Sequence, residues 1–288
     1  VTVPVSVRSI RAASACATLA LAVLLGGCGG AATGAAGLAA DGEAIVLRDL
    51  GVAIVRVNDR EAAVLTPSGI VRVGLAPDGR LTRTGEPIAI EGLAPIALDA
   101  TNGQDLYIAD GPAVRRYSDE GRLVQTLRVP ALDRLAGTAD PTAAAGETTA
   151  VAVASDGRVL VAEASRGTIQ VWQGGRLEQV LPREAVTLGL AALGARLFVL
   201  TGQGVDVLDA DGRPLDSWPV EEIGAPLGIA AHGDALLVRG TLGLALVSAD
   251  GRRQRGVAIP NNVIGATVLG ETVVGLTADA VLVLGRME

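Results

Sequence analysis

Residues 149–172 read TAVAVASDGRVLVAEASRGTIQVW. Three short apolar runs stand out: Ala152-Val153-Ala154, Val159-Leu160-Val161-Ala162, and Thr168 to Trp172. Between them lie Asp156-Gly157-Arg158 and a second turn ending at Gly167. Each run is too short for a helix, and Asp-Gly between apolar runs is a hairpin signal because the turn needs a residue at positive φ. A further turn at Gly174-Gly175-Arg176 introduces a fourth strand.

The same grammar extends in both directions. Turns of the form x-Gly-Arg recur at Asp78-Gly79-Arg80, Glu120-Gly121-Arg122, Asp211-Gly212-Arg213 and Asp250-Gly251-Arg252, and Gly285-Arg286 reads as a sixth copy. Their glycines are 42, 54, 37, 39 and 34 residues apart. No long stripe of period 3.6 lies between them, so the chain reads as all-β. Aligned copies supply a first strand (Ile96-Ala97-Leu98, Leu188-Gly189-Leu190, Gly228-Ile229-Ala230). A second follows (Leu106 to Ala109, Leu197 to Leu200, Leu236 to Val238), then a third (Ala113 to Tyr117, Val205 to Leu208, Leu244 to Val247). Four-stranded units of about 40 residues are propeller blades. The last unit has only three strands, and one apolar run before the first unit, Ala44-Ile45-Val46-Leu47, is left over. Placing that run as the missing outer strand closes the ring without a free edge. The expectation is a six-bladed β-propeller of four-stranded antiparallel blades over residues 41–288, closed by an N-terminal strand.

The quoted stretch resembles an NHL repeat, whose units typically read Gly-Ile-Ala-Val-Asp, a turn, Gly-Asn-Val-Tyr-Val-Ala-Asp, then a strand ending in a hydrophobic-Val-Phe pattern. Pro95 to Tyr117 is similar more loosely, and later units keep only the apolar skeleton. The resemblance implies a propeller fold rather than a particular activity.

The first thirty residues, VTVPVSVRSIRAASACATLALAVLLGGCGG, place Arg8 and Arg11 before an uncharged apolar run from Ala12 to Leu25. That run is short for a membrane span, which needs about 20 residues, and fits the apolar core of a secretory signal. Leu25-Gly26-Gly27-Cys28 resembles the bacterial lipobox. The resemblance implies a leader over 1–27, cleavage before Cys28, and acylation of Cys28. Residues 28–40 then form a small, uncharged tether, and several acyl chains make a stable anchor. The expected location is the extracytoplasmic face of the cell membrane.

Composition excludes several activities. Every basic residue is Arg, so chemistry that needs a lysine is absent. Net charge is −7 and aromatic residues are 2% of the chain, which argues against nucleic acid as a partner. Two Cys and one His cannot build a Cys/His zinc site. The expected partner, beyond the membrane reached through the anchor, is an envelope protein or glycan, and the domain is expected to be monomeric.

On the face where second strands turn into third strands, alignment forms a ring of Thr66, Asp110, Glu163, Thr201, Gly240 and Thr277. Its two acids sit in adjacent blades. The long insertion 131–148 falls between those blades and brings Asp133, Arg134 and Asp140 toward them, with Arg166 beside Glu163. These six charged residues are the candidate binding site. No cofactor is expected. Carboxylates alone can hold Ca²⁺, but that ion takes six or more oxygens and few can be named here. A carboxylate at a strand end also caps the backbone N–H groups of the following turn, and that reading stands beside the binding one. The leading function is a lipid-anchored binding or scaffolding module. The alternative is a metal-dependent hydrolase or lyase of the six-bladed lactonase or NHL-lyase type. His232, before Gly233, is expected to be an exposed turn residue on the opposite face.

Overall fold

The computed structural model describes residues 44–90, 95–100, 105–132 and 144–287. All belong to the second of two compact units, which covers residues 39–288. The expectations for 1–27 and 28–40, Cys28 included, lie outside the described residues, as do Asp133, Arg134 and Asp140.

The chain enters through β1 (Ile45–Val46). Blade 1 follows as β2 (Ala53–Asn58), β3 (Glu61–Thr66), β4 (Gly69–Leu75) and an outer strand broken into β5 (Leu81–Arg83) and β6 (Ile88–Ala89), both paired with β4. Blade 2 is β7 (Pro95–Ala100), β8 (Leu106–Asp110), β9 (Ala113–Tyr117) and β10 (Leu123–Arg128). Blade 3 is β11 (Thr148–Val153), β12 (Val159–Glu163), β13 (Thr168–Gln173) and β14 (Arg176–Pro182). Blade 4 is β15 (Gly189–Leu193), β16 (Arg196–Thr201), β17 (Gly204–Leu208) and β18 (Pro214–Trp218). Blade 5 is β19 (Pro226–His232), β20 (Ala235–Gly240), β21 (Gly243–Ser248) and β22 (Arg253–Ala258). Blade 6 is β23 (Gly265–Leu269), β24 (Thr272–Leu276) and β25 (Ala280–Arg286), and β1 pairs antiparallel with β25 as its outer strand. The ring is therefore a six-bladed propeller closed by the N-terminal strand, as the apolar run at 44–47 implied.

The turns carry this regularity. In the Asp78-Gly79-Arg80 turn, Gly79 N–H donates to Ala76 O and Ala76 N–H donates to Arg80 O, each at 2.9 Å. Ser118–Arg122, Asp209–Arg213 and Ser248–Arg252 repeat that pair of bonds. It is a type I turn closed by a left-handed glycine, and Gly79, Gly121, Gly212 and Gly251 all have φ near +80°. Gly285 departs from the series. It lies inside β25, beside a bulge opposite Val273 and Val274. β1 occupies the outer edge of β25, and Gly285 stays within the strand rather than opening a turn.

Both faces of each blade are apolar, because each packs on a neighbour. The buried apolar residues accordingly fall into six clusters, one per seam. Ile45 and Leu47 join β3, β24 and β25 residues in the seam between blades 6 and 1. The first strands pack side by side around the axis in five of the six seams. Between β19 and β23 the approach is looser, and β23 lies against β20 instead.

Candidate functional site

Second strands end at equivalent places on one face, so the ring read from the alignment is real in space. Its three threonines bond back across their own turns. Thr66, Thr201 and Thr277 donate their hydroxyls to Gly69 O, Gly204 O and Ala280 O, at 2.9, 3.2 and 3.1 Å. At Gly240 a side chain is excluded, since a Cβ there would stand 2.2 Å from Ile223 O. Glu163 is 1% exposed. Its carboxylate accepts the backbone N–H groups of Glu147, Ser165 and Arg166 at 3.1, 2.8 and 3.1 Å, and the Ser165 hydroxyl as well. Asp110 is buried too, and its carboxylate is 3.3 Å from the Arg115 guanidinium. Arg166 is exposed, and the bond it gives Glu163 comes from its backbone.

Thr148 draws the two acids to one neighbourhood. It sits opposite Glu163 in the β11–β12 ladder, and its N–H and hydroxyl both donate to Gly111 O, next to Asp110. The base of the 131–148 insertion is tied back on itself. Gly146 N–H donates to Val129 O and Ala131 N–H to Ala144 O, both at 2.8 Å, and Gln170 from β13 donates to Pro130 O. The Glu163 carboxylate thus holds its own turn and the entry to β11, and neither acid lines either of the two axial cavities.

Two cavities lie along the axis, where first strands face one another. On the same face as the ring, a cavity of about 320 Å³ is lined by all six first strands. At its rim stand Val52, Ile96, Thr149, Leu188, Leu227 and Ile264, five of them aliphatic, and four of those are 39–45% exposed. Below them come Ala53, Ala97, Ala150, Gly189, Gly228 and Gly265. Blade 5 also contributes Leu237, Arg239 and Leu244 from its second and third strands, so the cavity runs into the loose seam between blades 5 and 6.

The opposite mouth is wider and polar, with a volume of about 540 Å³. Arg56 donates to Asp59, and its Nη1 lies 3.3 Å from His232 Nδ1. Burial, and then the Arg56 charge, hold His232 below the ordinary histidine range. The geometry therefore makes Nδ1 the acceptor of a neutral ring. Asp99 accepts Val153 N–H at 2.7 Å and Ala100 N–H at 2.9 Å, stitching β7 to β11 across the seam. Burial in the channel wall pushes its carboxyl up to about 6 against those bonds. His232 is on the expected face but half-buried, because Arg56 from blade 1 reaches across to it. Arg56, Asp99 and Arg239 were not singled out by sequence reading. The signal for Asp99 was present, because Ile96-Ala97-Leu98-Asp99 matches the Ile-Ala-Val-Asp run of the repeat motif. Among the described residues no three His, Cys, Asp or Glu side chains gather in a metal-holding group.

This arrangement has relatives in fold. No family model and no curated protein matches the chain. Virginiamycin B lyase from Staphylococcus aureus superposes with a TM-score of 0.58 at 13% identity, over 84% of this chain and 97% of the lyase. A catalytically inactive histidine-to-alanine variant of that lyase, with quinupristin, gives 0.55 at 15% identity, over 82% and 81%. The WD40 β-propeller domain of Doa1 gives 0.56 at 12% identity, over 82% and 93%. At these identities the likeness establishes the propeller architecture alone.

Proposed function

We propose that the chain is a lipid-anchored, extracytoplasmic binding module built on an NHL-like propeller, and that it binds through the aliphatic mouth of its channel. The observation that carries this reading is the rim. Five of six equivalent first-strand positions hold aliphatic side chains at an open mouth, four of them well exposed. Contiguous exposed apolar surface on a soluble domain marks a place where something docks. An aliphatic rim suits an apolar-bodied ligand or an apolar protein segment better than a glycan, which favours aromatic platforms.

The neutral solvatochromic dye Nile red tests the mouth. Residues 41–288 should bind it with a blue-shifted emission. The paired variant Leu188→Asp with Leu227→Asp should weaken binding at least tenfold and leave the urea midpoint nearly unchanged, because both side chains already face water. A dye that binds both proteins equally counts against the mouth. The anchor has its own test: Cys28→Ala should move the full chain from the membrane to the soluble fraction, with acyl chains found by mass spectrometry on wild type only. Equal partitioning of the two proteins, with no acylation, overturns it.

The metal-dependent lyase or hydrolase reading draws on the shared fold and on the polar mouth around Asp99 and His232. Retention of stoichiometric divalent metal by the purified domain would favour it over simple binding.

A further inference from the structure

Arg239 breaks a rule the other five blades keep. The residue paired with the small first-strand position is Leu65, Ala109, Ala162, Leu200 and Leu276 in blades 1, 2, 3, 4 and 6. Leu65, Leu200 and Leu276 are completely buried core residues. In blade 5 the equivalent residue is Arg239, opposite Gly228. A guanidinium has thus replaced a core leucine in a repeat whose other copies are apolar there. Departures of this kind, where local rules fail without a packing gain, concentrate at functional sites.

Among the described residues nothing compensates its charge. Among the described residues no carboxylate pairs with Arg239, and its one hydrogen bond, to Val263 O, is long at 3.4 Å. Burial lowers its pKa. An unpaired, mostly buried charge is costly unless something neutralises it. The structure also gives the charge an outlet. Gly228 carries no side chain, and a Cβ placed there would lie 3.9 Å from Arg239 Nε. Position 228 is therefore a window through the first strand, and Arg239 lines the same cavity as Leu188, Leu227 and Ile264.

Building on the binding reading above, we infer that the aliphatic mouth takes an organic anion: a single carboxylate on an aliphatic body, its head at Arg239 in the seam between blades 5 and 6 and its chain against the rim. The chemistry explains the pairing. A planar guanidinium binds a carboxylate through two parallel hydrogen bonds. The cavity's size falls at the lower end for small-ligand sites, which suits a medium-chain acid. A free fatty acid and the terminal carboxylate of an apolar peptide both supply this group.

Calorimetry on residues 41–288 with octanoate and octan-1-ol tests the assignment. Octanoate should bind at least tenfold more tightly than the alcohol at low salt, with the advantage shrinking as NaCl screens it. Arg239→Met, which preserves bulk, should remove that advantage and leave octanol binding intact. Gly228→Val should do the same by closing the window while keeping the charge, so the test does not depend on one variant folding. Equal binding of acid and alcohol, or octanoate binding unchanged by either variant, overturns the inference. N-acetyl-Leu-Val with a free or amidated terminus separates the two sources. A tenfold preference for the free acid peptide, lost in Arg239→Met, supports the carboxylate with a peptide as donor. If Nile red binds and octanoate gains nothing over octanol, only the anion assignment falls. If Nile red does not bind wild type, the reading beneath it falls as well.

Discussion

Removing residues 44–50 is expected to strip the propeller of much of its stability. Ile45 and Leu47 are buried in the seam between blades 6 and 1, at 8% and 6% exposure. Burying such side chains is worth roughly 1.5–3 kcal/mol each. The segment also supplies main-chain closure: Ile45 and Val46 pair with Val281 and Ala280, and Leu47 N–H donates to Asp279 O at 2.7 Å. Without β1, the strand Ala280–Arg286 becomes an open, apolar edge, which invites pairing between molecules. A loss of about 4–6 kcal/mol is a large part of the 5–15 kcal/mol that domains possess, and corresponds to a drop in Tm on the order of 10–20 °C. Thermal unfolding with light scattering measures both the loss and the aggregation. Val46→Lys is the control: Val46 points outward and is exposed, so its Tm should hold within about 1 °C, since surface changes stay within ±0.5 kcal/mol. A truncated domain that melts with the intact one would refute closure by this strand.

Glu163 is expected to behave as a structural acceptor. Four donors converge on its buried carboxylate. Glu163→Ala leaves those N–H groups without a partner in a seam that water enters poorly. Hydrogen bonds to a charged group are worth about 1.5–3 kcal/mol each, with strong non-additivity, so the variant should lose about 3 kcal/mol. Glu163→Gln keeps one acceptor oxygen but turns an N–H₂ toward other donors, and should lose roughly half as much on the same grounds. Asp110→Asn should be milder, since its described ion pair is with a partly exposed arginine. Urea unfolding of the three variants provides the comparison. If Glu163→Ala instead matches wild type in stability while Ca²⁺ raises the melting temperature of wild type alone, the carboxylate is a ligand and the capping account is wrong.

Local chemistry wrote much of the architecture into the sequence. Asp-Gly-Arg turns demand a left-handed glycine wherever they occur, so their spacing exposed the repeat. Short aliphatic runs between them leave no alternative to strands. The orphan run at 44–47 and the three-stranded last unit could satisfy each other only by closing a ring. The positions of the second-strand ends were legible for the same reason, because each is set by its distance from a turn. What those ends do was not. Glu163 draws a donor from Glu147 as well as from its own turn, and that neighbour arrives only when β11 pairs with β12. Likewise, His232 looks like a turn residue along the chain, but Arg56, 176 positions away, holds its ring. Arg239 was hidden among strand residues of ordinary polarity. Its meaning required knowing that its counterparts are buried apolar residues, that Gly228 stands before it without a side chain, and that β19 and β23 part where the other first strands touch. The sequence by itself therefore determined the strands, their turns and the closure, because these follow from backbone conformation and apolar burial within some forty residues. Which side chains reach the channel was decided only by the tertiary structure, because the seams and the axial cavity form between blades distant in sequence.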